Sequence, residues 1–250
     1  MRFFDAHTHI DMKHYQHDRE HVIERAKNAG LIGMVTSSMG PGSFRRTLGI
    51  VKKYQGYIHH SAGCQASRLA EEEAVKTISL IRKYAEDIVA VGEVGLDYYW
   101  VKDPNKRKAQ EPLFQLFIDL ANELKLPLVI HSRKAEARAT EILEKNEVNE
   151  VLMHCYDGPK ETTRKIADNG WSITLPANFT KYRSRSEAAK IVPLEQILLE
   201  TDGPYLSPTG NRNEPANLTF GCESLAKLLE LPSEDVADAT TSNALAFYRL

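Results

Sequence analysis

Short apolar runs and amphipathic stretches alternate along the whole chain. The apolar runs have the length and residue content of buried strands, and they lie at residues 2–7, 31–36, 57–62, 88–94, 128–130, 151–153, 171–175 and 196–200. Segments with apolar residues at helical spacing lie at residues 18–29, 42–54, 71–84, 108–124, 134–146, 159–169, 184–191, 216–229 and 233–248. Among these, residues 108–124 show the clearest apolar stripe. The pattern predicts eight strands alternating with helices, followed by additional C-terminal helices.

Alternating strands and helices indicate an α/β protein with a parallel sheet. Eight such units in 250 residues suit one (β/α)8 barrel, and no linker or low-complexity tract divides the series. We therefore predict a single domain over residues 1–250. A doubly wound open sheet is the alternative, but it does not naturally bring residues from strands one, four, five, six and eight to one point. A barrel does, because all its strands end on one rim.

Side chains that commonly bind metals lie at the ends of five predicted strands: His7, His9, Glu93, His131, His154 and Asp202. Alternate residues of an extended backbone share a face, so His7 and His9 point the same way. Four imidazoles and two carboxylates suit Zn²⁺, Mn²⁺ or a similar ion. Six ligands exceed the need of one catalytic ion, so we predict two divalent ions with Glu93 as their bridge.

Each of these residues alone has a simpler interpretation. A lone histidine is more often a hydrogen-bonded structural residue, and Glu93 or Asp202 alone would pass for an ion-pair partner on the rim. Agreement among five strand ends argues against chance. The other histidines lack the pattern; we predict that the first three are solvated and leave the strand-three pair undecided: His14, His17, His21, His59 and His60.

Charge and composition limit the partners and the compartment. The net charge of −2 provides no global basic field for duplex DNA, so contacts with nucleic acid must be local. Three scattered cysteines (Cys64, Cys155 and Cys222) argue against a disulfide framework and for a reducing compartment. The first residues do not fit a signal peptide, and no apolar run reaches the roughly 18 residues of a membrane span. We expect a cytoplasmic protein without a membrane segment.

The motifs that carry these residues resemble those of the TatD family of metal-dependent hydrolases, across nearly the whole chain. The matching segments are residues 5–9, 92–99, 126–133, 154–158, 198–206 and 212–215. The resemblance implies a divalent-metal-dependent phosphodiesterase, usually a deoxyribonuclease and often an exonuclease. The resemblance also assigns the six residues above to the metal site. The slightly acidic charge balance favours single strands or DNA ends over long duplexes as the substrate.

Two positions depart from the family pattern. Residues 63–66 read Gly-Cys-Gln-Ala where the family usually has a Gly-His-Pro-like turn, and Gly203 replaces another small residue. The first departure leaves the nucleotide or leaving-group preference open. We interpret Cys64 as a small buried residue rather than a ligand.

The predicted mechanism uses a metal-activated water, with Asp202 as its base and Glu93 as the second catalytic carboxylate. Arg133 and Arg212 are candidates for holding a phosphate, the alternative being surface ion pairs. Tyr98 and Tyr99 are candidates for stacking on a base, the alternative being packing under a loop.

Two rival functions stay open. One is an amidohydrolase, lactonase or deacylase that acts on a small phosphate or carbonyl substrate with the same metals. The other is a non-catalytic metal-binding protein. Related barrels often have a carbamylated lysine on strand four, and Glu93 at that place favours the TatD-like branch. The sequence leaves the physiological metal and the oligomeric state open.

Overall fold

Eight parallel strands form one sheet whose order follows the order of the chain. The computed structural model describes residues 1–68, 70–146, 148 and 150–250. The strands are β1 (Phe3–Thr8), β2 (Leu31–Met39), β3 (Ile58–Gly63), β4 (Ala90–Asp97), β5 (Leu128–Arg133), β6 (Val151–Met153), β7 (Ser172–Pro176) and β8 (Ile197–Glu200). This order excludes the doubly wound alternative, in which the strand order reverses within the sheet.

Helices follow the strands as the periodicity predicts. They are α1 (Arg19–Asn28), α2 (Pro41–Lys53), α3 (Glu71–Lys83), α4 (Pro104–Leu124), α5 (Glu136–Lys145), α6 (Lys160–Asp168), α7 (Arg183–Ile191), α8 (Leu218–Leu229) and α9 (Ser233–Tyr248). Among the helices of the described residues, none is both long and apolar enough to cross a membrane.

Two backbone hydrogen bonds connect the two ends of the sheet. The Asp202 N–H donates to the His7 carbonyl at 3.0 Å, and the His9 N–H donates to the Gly203 carbonyl at 2.8 Å. These bonds join the end of β1 to the segment that follows β8. The sheet is thereby nearly closed, and the predicted (β/α)8 barrel with additional C-terminal helices is confirmed.

The core has two parts. A large cluster fills the space between strands and helices. A smaller one contains inward-facing residues of six strands together with two residues of α9: Phe4, Ala6, Val35, Ala90, Val129, Leu152, Leu198, Ala244 and Tyr248. The Tyr248 hydroxyl donates to the Ala6 carbonyl at 2.8 Å. Helix α9 thus closes the bottom of the barrel, and the polar side chains are left to the opposite rim.

Several element boundaries differ from the sequence prediction, among them the start of α4 and the ends of β2, β4 and β5. Helix α4 begins at Pro104 rather than at residue 108, because the Asp103 side chain accepts hydrogen bonds from the amides of Asn105 and Lys106 and proline suits the first helical position. Strand β4 continues to Asp97 because it stays paired with β5. The predicted strand end at residue 94 is therefore wrong, and Glu93 lies inside its strand.

Candidate metal centre

Strand β1 brings two imidazoles to the rim. The Nε2 atoms of His7 and His9 lie 3.3 Å apart, and both side chains are buried. The Nδ1 atom of His9 lies 3.1 Å from the Ser37 carbonyl on β2. A carbonyl can only accept, so Nδ1 carries the proton in the neutral ring and Nε2 presents its lone pair to the rim.

Glu93 lies at the centre of the cluster. Its Oε2 atom is 3.1 Å from His7 Nε2 and 2.9 Å from His154 Nε2. Its other oxygen, Oε1, lies 4.0 Å from His131 Nδ1. The carboxylate thus faces imidazoles from β1 and β5 and from the end of β6, which places it between two groups of potential ligands.

Close packing of β4 against β5 fixes the position of Glu93. Gly95 has a φ of +140°, and a Cβ atom there would lie 2.2 Å from the His131 carbonyl oxygen. Only glycine combines this backbone angle with this approach. The glycines around Glu93 therefore set the separation between the strands that carry Glu93 and His131.

Asp202 completes the cluster from the end of β8. Its Oδ1 atom lies 3.4 Å from His9 Nε2 and 4.0 Å from His7 Nε2. Its φ of +52° is a left-handed conformation that aspartate tolerates better than most residues. Together with the hydrogen bond from its amide to His7, this conformation holds the carboxylate over the end of β1.

Two further carboxylates lie beside the outer ring nitrogens of His131 and His154. Asp97 Oδ2 lies 3.0 Å from His131 Nε2, and Glu200 Oε2 lies 3.4 Å from His154 Nδ1. Thr174 donates to Glu200 Oε2 at 2.6 Å. Sequence reasoning gave neither acid a role. The sequence feature that could have identified such a residue is an apolar strand that ends in a carboxylate, as in the Ile-Leu-Leu-Glu of β8.

Electrostatics show that the cluster attracts cations. Burial alone would raise the pKa of Glu93, but His154 and His7 outweigh it and hold that pKa well below its ordinary value. Burial alone would lower the pKa of His9, but Asp202 and Glu93 outweigh it and raise the pKa to about 9. The carboxylates are thus ionised, and their negative charge is balanced by protons on the imidazoles. A bound divalent ion would balance the same charge in place of those protons.

The donor set fits divalent ions. Three groups have one ligand atom per residue within 4.8 Å of one another: His7, His9 and Glu93; Glu93, His131 and His154; and His7, His154 and Asp202. Glu93 belongs to two of the groups. Its Oε2 atom is also buried: two imidazole nitrogens lie within 3.1 Å, but in the described part of the chain no donor meets hydrogen-bond geometry with it. The structure therefore brings all six predicted ligands together, and nitrogen and carboxylate donors suit zinc or manganese.

The predicted phosphate-binding arginines differ in their surroundings. Arg133 is exposed, and its guanidinium carbon lies 4.0 Å from the centre of the Tyr99 ring. Arg212 donates to both carboxylate oxygens of Asp18, at 2.9 and 2.6 Å, and to the His14 carbonyl. Arg133 is available to a ligand in this arrangement, whereas Arg212 is already engaged in an ion pair.

The aromatic turn after β4 is exposed beyond Tyr98. Tyr98 itself is half-buried, with the guanidinium of Arg107 4.9 Å from its ring centre. Tyr99 and Trp100 are exposed, and their ring centres lie 4.9 Å apart. The sequence analysis did not single out Trp100, although it is the most exposed aromatic side chain of the turn.

Two residues at strand three, Cys64 and His60, are buried and belong to none of the three ligand groups. Cys64 is buried, with its thiol 2.9 Å from Thr77 Oγ1, and burial raises its pKa to about 11. His60 is also buried, with Nε2 2.8 Å from Ser38 Oγ. Both have structural partners, in keeping with the interpretation of Cys64 as a small buried residue.

Comparison with known proteins agrees with this geometry. The model of the family of TatD-related DNases matches residues 4–249. An uncharacterized metal-dependent hydrolase of Methanocaldococcus jannaschii is 35% identical over 252 residues, which cover 100% of this chain and 98% of the relative. A human protein named deoxyribonuclease TATDN3 is 27% identical, covering 98% of this chain and 93% of the relative. The crystal structure of YjjV, a TatD homolog from Escherichia coli, has a TM-score of 0.90 at 22% identity and covers 100% of this chain and 98% of its own.

Proposed function

This chain belongs to the family of TatD-related DNases and is a metal-dependent hydrolase, and we propose that it cleaves phosphodiester bonds in DNA as a deoxyribonuclease with exonuclease character. The observation that carries the proposal is the position of Glu93 between two groups of ligand atoms. A carboxylate shared by two such groups suits a pair of ions, and paired ions are typical of enzymes that cleave phosphodiesters.

The proposed ligands are His7, His9, Glu93, His131, His154 and Asp202. Divalent ions held by them would acidify a water and neutralise charge on the phosphate. Asp202 would accept the proton of the attacking water, since its carboxylate lies at the edge of the cluster and is more exposed than Glu93. Asp97 and Glu200 would keep the imidazoles of His131 and His154 in the required orientation.

The turn after β4 supports a single-stranded substrate. Tyr99 and Trp100 are exposed, and Arg133 and Lys102 lie over the Tyr99 ring at 4.0 and 4.9 Å. Aromatic rings stack on unpaired bases, while neighbouring cations bind the phosphates. The turn follows the strand that carries Glu93, so a base held there lies at the same rim. Substrate contacts by Tyr98 and Arg212 stay predictions. In this structure Tyr98 packs against Arg107, and Arg212 is paired with Asp18.

The test is hydrolysis of a short single-stranded DNA labelled at its 3′ or 5′ end. The protein is stripped of metal and then resupplied with Mg²⁺, Mn²⁺ or Zn²⁺. We expect a metal-dependent ladder whose direction the label shows. The Asp202→Asn variant should lose about 10²–10⁴-fold in turnover while it still binds metal and DNA.

Two results would contradict the proposal. Retained turnover in Asp202→Asn would remove the aspartate from its role as the base. A protein that binds metal but cleaves no DNA with any of the ions would favour ester or amide hydrolysis of a small molecule. Bis(p-nitrophenyl) phosphate and a lactone, assayed in parallel, separate these alternatives.

A further inference from the structure

Arg185, in the first turn of α7, has a buried guanidinium with few hydrogen-bond partners. Its side chain is 8% exposed, and its Nε and Nη1 atoms have no hydrogen-bond partner among the residues that the structure describes. Its Nη2 atom lies 3.4 Å from Cys155 Sγ. A thiol is a weak acceptor, so this contact compensates little of the cost of burying a charge.

A nearby carboxylate does not provide the missing partner. Arg185 Nε lies 3.9 Å from Asp157 Oδ2, which is beyond hydrogen-bond distance. Asp157 also accepts a hydrogen bond from the Ser184 hydroxyl. The Arg185 guanidinium is therefore attracted to Asp157 without being satisfied by it, and its free N–H groups suit an additional anion.

The location of Arg185 connects it to the metal centre. Cys155, which it contacts, directly follows the proposed ligand His154. Helix α7 begins at the rim after β7, where (β/α)8 barrels frequently bind phosphate groups. One face of the guanidinium lies 4.4 Å from the Tyr182 ring, which is itself exposed. The cation thus lies directly beneath the surface of the substrate side.

We propose that Arg185 binds a phosphate group of the substrate other than the one that is hydrolysed. The inference rests on the proposed phosphodiesterase function. Guanidinium N–H groups form strong charge-assisted hydrogen bonds with phosphate oxygens. A buried cation that lacks a satisfying anion becomes fully paired only when such a group is present. Arg185 would therefore select substrates with at least two phosphates, as a DNA strand has and a simple diester lacks.

Kinetics of the metal-loaded enzyme on two substrates test this role. Arg185→Gln should raise KM for a trinucleotide, which has two phosphates, by about 10–100-fold with little change in kcat. The same variant should leave KM for bis(p-nitrophenyl) phosphate, with its single phosphate, unchanged. Arg185→Lys should restore part of the trinucleotide affinity. A KM that rises equally for both substrates, or for neither, would overturn the inference.

Arg183 provides the matched control on the same helix. Its side chain is 92% exposed and donates to Glu187 at 2.7 Å. Arg183→Gln removes one positive charge from the same turn, so a general effect of charge would appear in both variants. We expect its KM for the trinucleotide to equal that of the wild type; a rise as large as that of Arg185→Gln would overturn the specific role of Arg185.

Thermal unfolding separates this inference from the proposed function. Inorganic phosphate should raise Tm of the wild type and of Arg183→Gln by more than that of Arg185→Gln. In phosphate-free buffer, Arg185→Gln should not unfold earlier than the wild type. A lower Tm without phosphate, with an equal response to phosphate, would show a structural ion pair with Asp157 and overturn the anion site. A phosphate response that depends on Arg185 keeps the anion site even if DNA is not cleaved.

Discussion

The Nε2 atom of His131 lies 3.0 Å from Asp97 Oδ2, and the other ring nitrogen of His131 faces Glu93. The second oxygen of the same carboxylate, Oδ1, accepts hydrogen bonds from the amides of Tyr99 and Trp100 at 2.9 and 2.7 Å. One side chain therefore orients a proposed metal ligand and shapes the turn that is proposed to hold a base.

Asp97→Asn should weaken metal binding without disturbing the turn. The amide Oδ1 still accepts hydrogen bonds from the two backbone amides, but an NH₂ group in place of Oδ2 cannot accept the hydrogen bond from His131. We expect metal affinity to fall by about 10–100-fold, measured by calorimetric titration of the metal-stripped protein with Zn²⁺. Asp119→Asn, an exposed substitution on α4, is the control. Unchanged affinity would show that Asp97 does not support His131.

Trp100 should report directly on single-stranded DNA. The chain has two tryptophans: Trp100 is 65% exposed, whereas Trp171 is 4% exposed and donates to the Val148 carbonyl. Stacking of a base should therefore quench the red-shifted fluorescence of Trp100 and leave the fluorescence of Trp171 unchanged. Trp100→Ala should raise KM for single-stranded DNA by about 5–100-fold. Leu116→Ala, an exposed apolar substitution on α4, should not; equal KM values for Trp100→Ala and the wild type would exclude stacking on Trp100.

Gly95→Ala should damage both the fold and the site. The added Cβ would lie 2.2 Å from the His131 carbonyl oxygen at a φ of +140°. We expect the free energy of unfolding in urea to fall by about 2–4 kcal/mol, together with weaker metal binding. Gly42→Ala is the contrasting variant, because a Cβ there meets no atom within 4 Å and the residue is helical. If both variants behaved alike, close packing of β4 on β5 would not be the cause.

His60 should make the protein less stable in mild acid. Burial lowers its pKa from 6.5 to about 3. Between these values the unfolded chain binds a proton that the folded chain does not, so stability is full above pH 6.5 and falls as the pH falls. The loss from this residue is about 2 kcal/mol at pH 5, at about 1.4 kcal/mol per pH unit.

The comparison of wild type with His60→Gln isolates this residue. Glutamine keeps a polar contact with Ser38 but does not titrate, and all other ionisable groups are common to both proteins. Urea midpoints measured from pH 8 to pH 5 should therefore fall more steeply for the wild type. Parallel curves would show that His60 is protonated in the folded protein as readily as in the unfolded chain.

The order of elements could be predicted because it depends on local pattern. The sixth strand, Val151–Met153, has the predicted bounds, and α9, Ser233–Tyr248, also begins and ends where its apolar spacing does. The position of the proposed ligands followed from the same reasoning, because every strand of a barrel ends on one rim. Local pattern and barrel geometry thus suffice to predict that His7 and Asp202 lie close together.

Features that depend on distant partners could not be predicted. The end of β4 is set by its pairing with β5, and the start of α4 by the capping side chain of Asp103. The roles of Asp97 and Glu200 depend on imidazoles 34 and 46 residues away along the chain. In the sequence, Arg185 is one of several charged residues on a polar helix. Only the fold shows that it is buried with two guanidinium nitrogens that lack a hydrogen-bond partner among the described residues.

The bonds between the end of β1 and the segment after β8 also order events during synthesis. His7 and His9 leave the ribosome first, whereas Asp202 and Glu200 follow only after most of the chain has been made. A nascent chain that stops after β7 would carry the four imidazoles and Glu93 but neither Glu200 nor Asp202. The ligand group formed by His7, His154 and Asp202 is therefore complete only once the first and last strands have met.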